Sequence, residues 1–309
     1  GSVGEINLAL FNALNAAKIK AEIALLATRG LGKPTKLHPV ITDFNYVVVK
    51  TIINGKTYYL DATNKLLSFG LNPYKTLNGE VRVMDFKNGS YWQANTPVIK
   101  SSKKVTLQLK IDKEGNTNGH MKIDATGYDA LFLREKLDVK SEDEYLENYE
   151  SDYKIEIDDD GYKIVGKDHK ATKITQTFKF NLENTIETSG QQIYINPFLH
   201  EKFKVNPFQL KKRTYPVDFG YKHDYTYRAN ITIPEGFIVE NLPENKAFKL
   251  ANKGGNFLFG IKNNGSKISI YFRYQLSKTI YSNEEYASLK EFFNQIIKAQ
   301  KSSIILKKQ

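Results

Sequence analysis

Tyr46-Val47-Val48-Val49-Lys50-Thr51-Ile52-Ile53-Asn54-Gly55-Lys56-Thr57-Tyr58-Tyr59-Leu60-Asp61 consists of two β-rich runs joined by Asn-Gly. Val, Ile, Thr and Tyr suit a pleated, half-buried surface, and Asn-Gly suits the two positive φ angles of a type I′ turn. Strands are therefore predicted at 46–53 and 56–60, with Asp61 closing the second. Upstream, Ile6, Leu10, Ala13, Leu14 and Ala17 recur at helical spacing, predicting an amphipathic helix over 5–18 that opens at Gly1-Ser2-Val3-Gly4-Glu5-Ile6-Asn7. Ile19–Leu26 reads as another strand, and Gly30, Gly32 and Pro34 break the chain into a loop that runs through His38-Pro39. A connection from Ser68-Phe69-Gly70 to Tyr91-Trp92 closes this first domain, residues 1–95.

The texture then changes to short alternating strands. Strands are expected at 105–111 and 119–126, a helical stretch at 129–149, and strands at 153–157, 162–165, 171–182 and 192–195, giving a β-rich domain with an inserted helix over 96–205. A third domain, 206–309, has expected strands at 225–233, 238–242, 248–250, 255–262 and 267–276, spaced like a small β-sandwich. It ends in a helix with Ser282 as N-cap, Glu284-Glu285 in the first turn and Tyr286, Leu289, Phe292, Phe293, Ile296 and Ile297 as its apolar stripe. Ser303–Leu306 is expected to add a last edge strand. The fold class is α+β, with two mainly antiparallel, β-sandwich-like domains after the first.

The chain has 309 residues, a net charge of +11 and no cysteine. No run of about 18 apolar residues exists, so no transmembrane helix is expected. The absence of cysteine excludes disulfides, thiolate metal sites and a thiol nucleophile within this sequence. The lysines are scattered along strands and turns; the densest cluster is Lys211-Lys212-Arg213. A solvated surface accounts for such charge, and no nucleic-acid partner is expected. Gly1 opens directly onto a helix, so the chain reads as a piece of a longer protein whose signal or anchor would lie elsewhere. Gly1-Ser2 reads equally as native sequence or as a tag remnant.

Gly1–Asn7, Ala27-Thr28-Arg29, Thr42–Val47 and Tyr59–Thr63 together resemble the carboxy-terminal half of a bacterial transglutaminase-like, papain-like domain. Tyr215-Pro216-Val217-Asp218-Phe219-Gly220-Tyr221 and Ile305-Leu306-Lys307-Lys308 resemble the terminal β domain of uncharacterised multidomain envelope proteins that carry such a domain. The resemblance implies a periplasmic or envelope location. It also implies a nucleophilic cysteine at position 3, a histidine at 46 and an aspartate at 61. The spacings of 43 and 15 residues agree with that order, but the positions hold Val3, Tyr46 and Asp61. Valine cannot be acylated, and a phenol that ionises near pH 10 is a poor general base at neutrality. Asp61 has no imidazole to orient. The expected function is thus non-catalytic binding or scaffolding, with an unknown protein, peptide or glycan as partner and no cofactor. The alternative is a hydrolase or acyl-transfer enzyme whose nucleophile lies outside this chain or whose site is not recognisable.

Asn45, Tyr46 and Asp61 are the candidate ligand-binding residues. Asp61 also reads as a strand-end carboxylate accepting hydrogen bonds from Ala62-Thr63, and Asn45 as a partner of nearby backbone. The histidines, His38, His120, His169, His200 and His223, form no ligand pattern, and no metal site is expected; His223-Asp224 is a close pair beside a cluster of aromatics. Asp158-Asp159-Asp160-Gly161 reads as a hairpin turn in preference to a calcium loop. Tyr215, Phe219, Tyr221, Tyr225 and Tyr227 form either a binding face or cross-strand packing.

Overall fold

A computed structural model describes residues 1–38, 40–182, 187–199 and 201–309. Pro39 of the expected loop and His200 lie outside the described residues. The chain forms two compact units. The first contains Gly1–Ser101, Thr126–Arg134 and Gly166–Thr172, and the second contains Ser102–Ala125, Glu135–Val165 and Lys173–Gln309.

The first unit begins with helix α1 (Val3–Ala16), capped reciprocally: Ser2 Oγ accepts from the Glu5 amide, and Glu5 returns to the Ser2 amide. Its sheet contains β1 (Ala21–Leu26), β2 (Tyr46–Ile53), β3 (Lys56–Leu60), β4 (Glu80–Met84) and β5 (Tyr91–Ala94). They lie in the order β3-β2-β1-β4-β5, every pair antiparallel. The β2–β3 hairpin turns at Asn54 and Gly55, with φ of 51° and 74°, as a type I′ turn requires. Ala24, Leu26, Tyr46, Val48, Tyr59, Val81 and Val83 form the core, and Val3 packs against it.

In the second unit the strands, in chain order, begin with β6 (Ser102–Ile111), β7 (Thr117–Thr126), β8 (Glu156–Val165) and β9 (Lys173–Leu182). Then follow β10 (Glu187–Ser189), β11 (Gln192–Ile195), β12 (Val217–Asp218) and β13 (His223–Thr232). The rest are β14 (Phe237–Asn241), β15 (Lys246–Leu250), β16 (Gly255–Asn263), β17 (Lys267–Leu276), β18 (Ile280–Tyr281) and β19 (Ile304–Lys308). An eight-stranded sheet runs β15-β16-β17-β13-β6-β7-β9-β8, a four-stranded one β10-β11-β19-β14, and β12 pairs with β18. Among the described residues the further α-helices are α2 (Gly127–Asp138), α3 (Glu142–Tyr153) and α4 (Tyr286–Gln300). Helix α2 belongs to the first unit through Arg134 and to the second from Glu135, and α3 and α4 belong to the second.

Several expectations are corrected here. Residues 96–205 and 206–309 do not keep separate sheets, because β6 and β13 pair in parallel from Tyr225↔Lys103 to Thr232↔Lys110. Strand spacing reveals hairpins; it carries no record of a parallel pairing across more than a hundred residues. The single helix expected over 129–149 is two helices. Ser141 Oγ caps the second by accepting from the Glu144 amide, and Glu142, Asp143 and Glu144 fill the dipole-favoured first turn. Asp158–Gly161 is a bulge within β8, since β9 pairs on both sides of it. A Cβ on Gly161 would come within 2.7 Å of the Asp158 and Lys179 carbonyl oxygens, so only glycine fits there.

Ser282 is not the N-cap of α4. Glu285 occupies that position, with its carboxylate taking the Ser282 amide at 3.0 Å and the Lys278 ammonium at 2.5 Å. The apolar stripe of α4 is buried as its spacing predicts. The last strand, β19, lies inside its sheet between β11 and β14 and is no edge.

Candidate functional site

The positions singled out in the first unit meet where α1 crosses the β2–β3 hairpin. Val3 is half-buried at the helix start, against the cluster that includes Tyr46. Asp61 follows β3. Its Oδ1 accepts from the Thr63 amide at 2.7 Å and the Thr63 hydroxyl at 2.5 Å, and its Oδ2 accepts from Asn7 Nδ2 at 3.1 Å. The Tyr46 and Thr63 hydroxyls lie 3.0 Å apart. Because Thr63 gives its proton to Asp61, Tyr46 donates to Thr63, and the relay runs Tyr46 to Thr63 to Asp61. Burial, with the Asp61 charge adding to it, pushes the Tyr46 phenol up to about 12. Tyr46 therefore stays protonated at neutral pH and has no base strength to offer.

Asn7 is the residue the sequence reading missed. It is the buried residue of α1, where periodicity pointed to Ile6, Leu10 and Leu14. Its Nδ2 also donates to the Val47 carbonyl at 2.9 Å, and its Oδ1 accepts from the Ala62 amide at 2.9 Å. One amide thus ties the helix to β2 and to the end of β3, with every polar atom used. The signal was its place four residues after Val3 and seven before Leu14, on the inward stripe.

Asn45 faces a different partner: its Oδ1 accepts from the Thr28 amide at 2.8 Å and its Nδ2 donates to Thr28 Oγ1 at 2.9 Å. These bonds clamp the end of β1 to the start of β2. Lys75 Nζ lies 5.0 Å from the centre of the Tyr46 ring, at cation–π range. Among the described residues, no group of three or more His, Cys, Asp or Glu side chains could hold a metal ion.

In the second unit, His223 and Asp224 do not act together. Successive strand residues point to opposite faces; Asp224 takes a two-bond clasp from Arg273, both at 3.0 Å, and a third bond from Gln275 at 2.8 Å. His223 stacks on Tyr221 at 4.3 Å, and its Nε2 finds no hydrogen-bond partner among the described residues. Tyr221, Tyr225 and Tyr227 are buried, whereas Tyr215 is exposed, so packing accounts for most of that aromatic cluster.

Burial lowers the His223 pKa to about 4, against about 6.5 in an unfolded chain. Between these values the unfolded chain takes up the proton first, so stability falls as pH drops from about 6.5 towards about 4. The loss from this one group is about 3 kcal/mol at pH near 4. His223→Phe is expected to keep the stack on Tyr221 and remove that loss. Urea midpoints should show the variant gaining on the parent as pH falls from about 8 to about 4; a constant difference would refute the assignment.

Residues 191–306 match the family model DUF3858, described as a domain of unknown function with a solved structure. No curated protein sequence matches the chain. Among solved structures, the chain is similar to a Parabacteroides distasonis ATCC 8503 protein described as a "putative protease", with a TM-score of 0.50 and 14% identity. The match covers 99% of this chain and 44% of that one, so the chain spans less than half the length of that protein, and at this identity the likeness is one of fold.

Proposed function

We propose that the first unit is a non-catalytic binding module, descended from a transglutaminase-like domain and serving a protein of the bacterial cell envelope. One observation carries the reading: Asp61, the carboxylate that would orient a catalytic base, is bound by Thr63 and Asn7, and Tyr46 enters that network as a hydrogen-bond donor. A relay that starts from a high-pKa phenol beside a valine and ends on Asp61 holds a shape and moves no proton in an acyl transfer. The loop leading into β2 leaves Leu37 and Ile41 at 87% and 72% exposure, apolar surface of the kind that protein and peptide partners cover. The envelope location follows from the resemblance of both chain ends to envelope proteins.

The test uses a glutamine-bearing peptide with a fluorescent primary amine, and the same peptide labelled for anisotropy. No transamidation or hydrolysis above buffer is expected, while the labelled peptide binds and is weakened by Leu37→Asp with Ile41→Asp. Turnover that disappears in Asp61→Ala would overturn the reading. It would favour the alternative, an enzyme related in chemistry as well as fold to the Parabacteroides protein.

A further inference from the structure

The second unit encloses a cavity of about 580 Å³, within the roughly 300–1,000 Å³ typical of small-ligand sites. Its floor is apolar. Leu109 and Ile111 from the end of β6, Leu182 from the end of β9 and Ile195 from the end of β11 line it, each 5% exposed or less. These are inward positions of alternating strands: β6 buries every second residue from Val105 to Ile111. Leu109, Ile111 and Leu182 belong to the eight-stranded sheet and Ile195 to the four-stranded one, so the floor draws on both.

The mouth has the opposite character. Among the described residues, Lys154, Lys202 and Lys204 line it and are exposed, against the one carboxylate of Asp152. A third feature is backbone strain on the wall: Leu199, a bulky residue, has φ of 49°. Lys154 also has a positive φ, but as the C-cap of α3, where left-handed backbone is ordinary. Leu199 has no helix to end, and residues held in this region concentrate at ligand clamps. Asn196, also on the wall, is committed internally through the Gln300 carbonyl and the Phe198 amide.

We propose that this cavity binds an amphipathic carboxylate, an alkyl chain bearing one terminal anion such as a medium-chain fatty acid. The chain lies on Leu109, Ile111, Leu182 and Ile195, and the head group meets Lys202 and Lys204. Thr117 and Tyr153 also line the cavity; Thr117 Oγ1 donates to the Gly115 carbonyl, and Asn196 is committed as above. This apolar-dominated wall suits an alkyl chain better than a nucleotide or sugar phosphate, and the excess of ammonium groups among the described lining residues disfavours a cation. The proposal is independent of the first unit's role.

Calorimetric titration of the full chain with decanoate, 1-decanol and decylammonium, each below its aggregation concentration, tests it. Decanoate should bind with a negative heat-capacity change and about tenfold more tightly than decanol. Lys202→Glu with Lys204→Glu, both on the surface and compatible with folding, should weaken decanoate by about tenfold and reverse the preference towards decylammonium. Methyl resonances of Leu109 and Ile111 should shift on decanoate addition. Absence of decanoate binding, equal affinity for the three probes, an unchanged charge-reversed variant or unmoved methyls would each overturn the proposal.

Discussion

Replacing Glu22 with leucine will destabilise the first unit by about 3–5 kcal/mol, because it leaves a buried ammonium without its counter-charge. Glu22 and Lys50 are direct cross-strand neighbours on β1 and β2. Their ion pair is 2.8 Å long, with only 5% of the lysine side chain exposed against 21% of the glutamate. Burial opposes the Lys50 charge, but Glu22 and the Tyr91 hydroxyl, 2.5 Å away, outweigh it and hold its pKa above the ordinary value. Lys50→Met should cost less, about 1–2 kcal/mol, since the carboxylate it strands can reach water. The double variant should recover most of the Glu22→Leu loss, because two apolar side chains leave no buried charge. Trp92, the single tryptophan, is on β5 of the same unit and reports its urea transition. Losses that simply add in the double variant would show that the pair is not coupled.

Arg134→Met is the other large effect expected, at about 3–5 kcal/mol. This guanidinium is 1% exposed. It donates to Ser68 Oγ at 3.0 Å, to the Gly166 carbonyl at 3.0 Å and to the Ala171 carbonyl at 2.8 Å. Burial lowers its pKa, with Asp168 opposing that shift. Those bonds fasten residues 166–172 into the first unit, so their loss should release that segment before the rest unfolds. Trypsin is then expected to cut after Lys167 and Lys170 faster in the variant than in the parent under native conditions. Arg134→Lys should rescue little, as one ammonium cannot span acceptors that a planar fork reaches together. Equal cutting rates in parent and variant would dismiss the fastening role.

Much of the local structure was legible in the sequence. The β2–β3 hairpin matches its predicted bounds because Asn54-Gly55 and the β-branched runs act over a few residues. The stripe of α4 matches for the same reason, as 3.6-residue periodicity records which face meets a core. Val3, Tyr46 and Asp61 were named from the resemblance to a transglutaminase-like domain, with which their spacing agrees, and the Thr63 amide on Asp61 is the bond expected of a strand-end carboxylate. The hydroxyl relay through Thr63 and the bridge by Asn7 were not legible, since both depend on how close α1 comes to the hairpin. The buried Lys50 and Arg134 were hidden too, because composition reads every such residue as surface charge.

The sequence by itself determined the first helix, the apolar stripe of the last one, the hairpin at Asn54-Gly55, and the lack of a thiol and an imidazole at positions 3 and 46. Those properties belong to single residues or to runs a few residues long, and no folding partner can change them. Only the tertiary structure decided that β6 lies parallel to β13, that β19 is interior and that Asn7 joins the Asp61 network. Each of these depends on which distant segments exclude water together, a choice made by summed packing and hydrogen bonding across the unit and written in no local window.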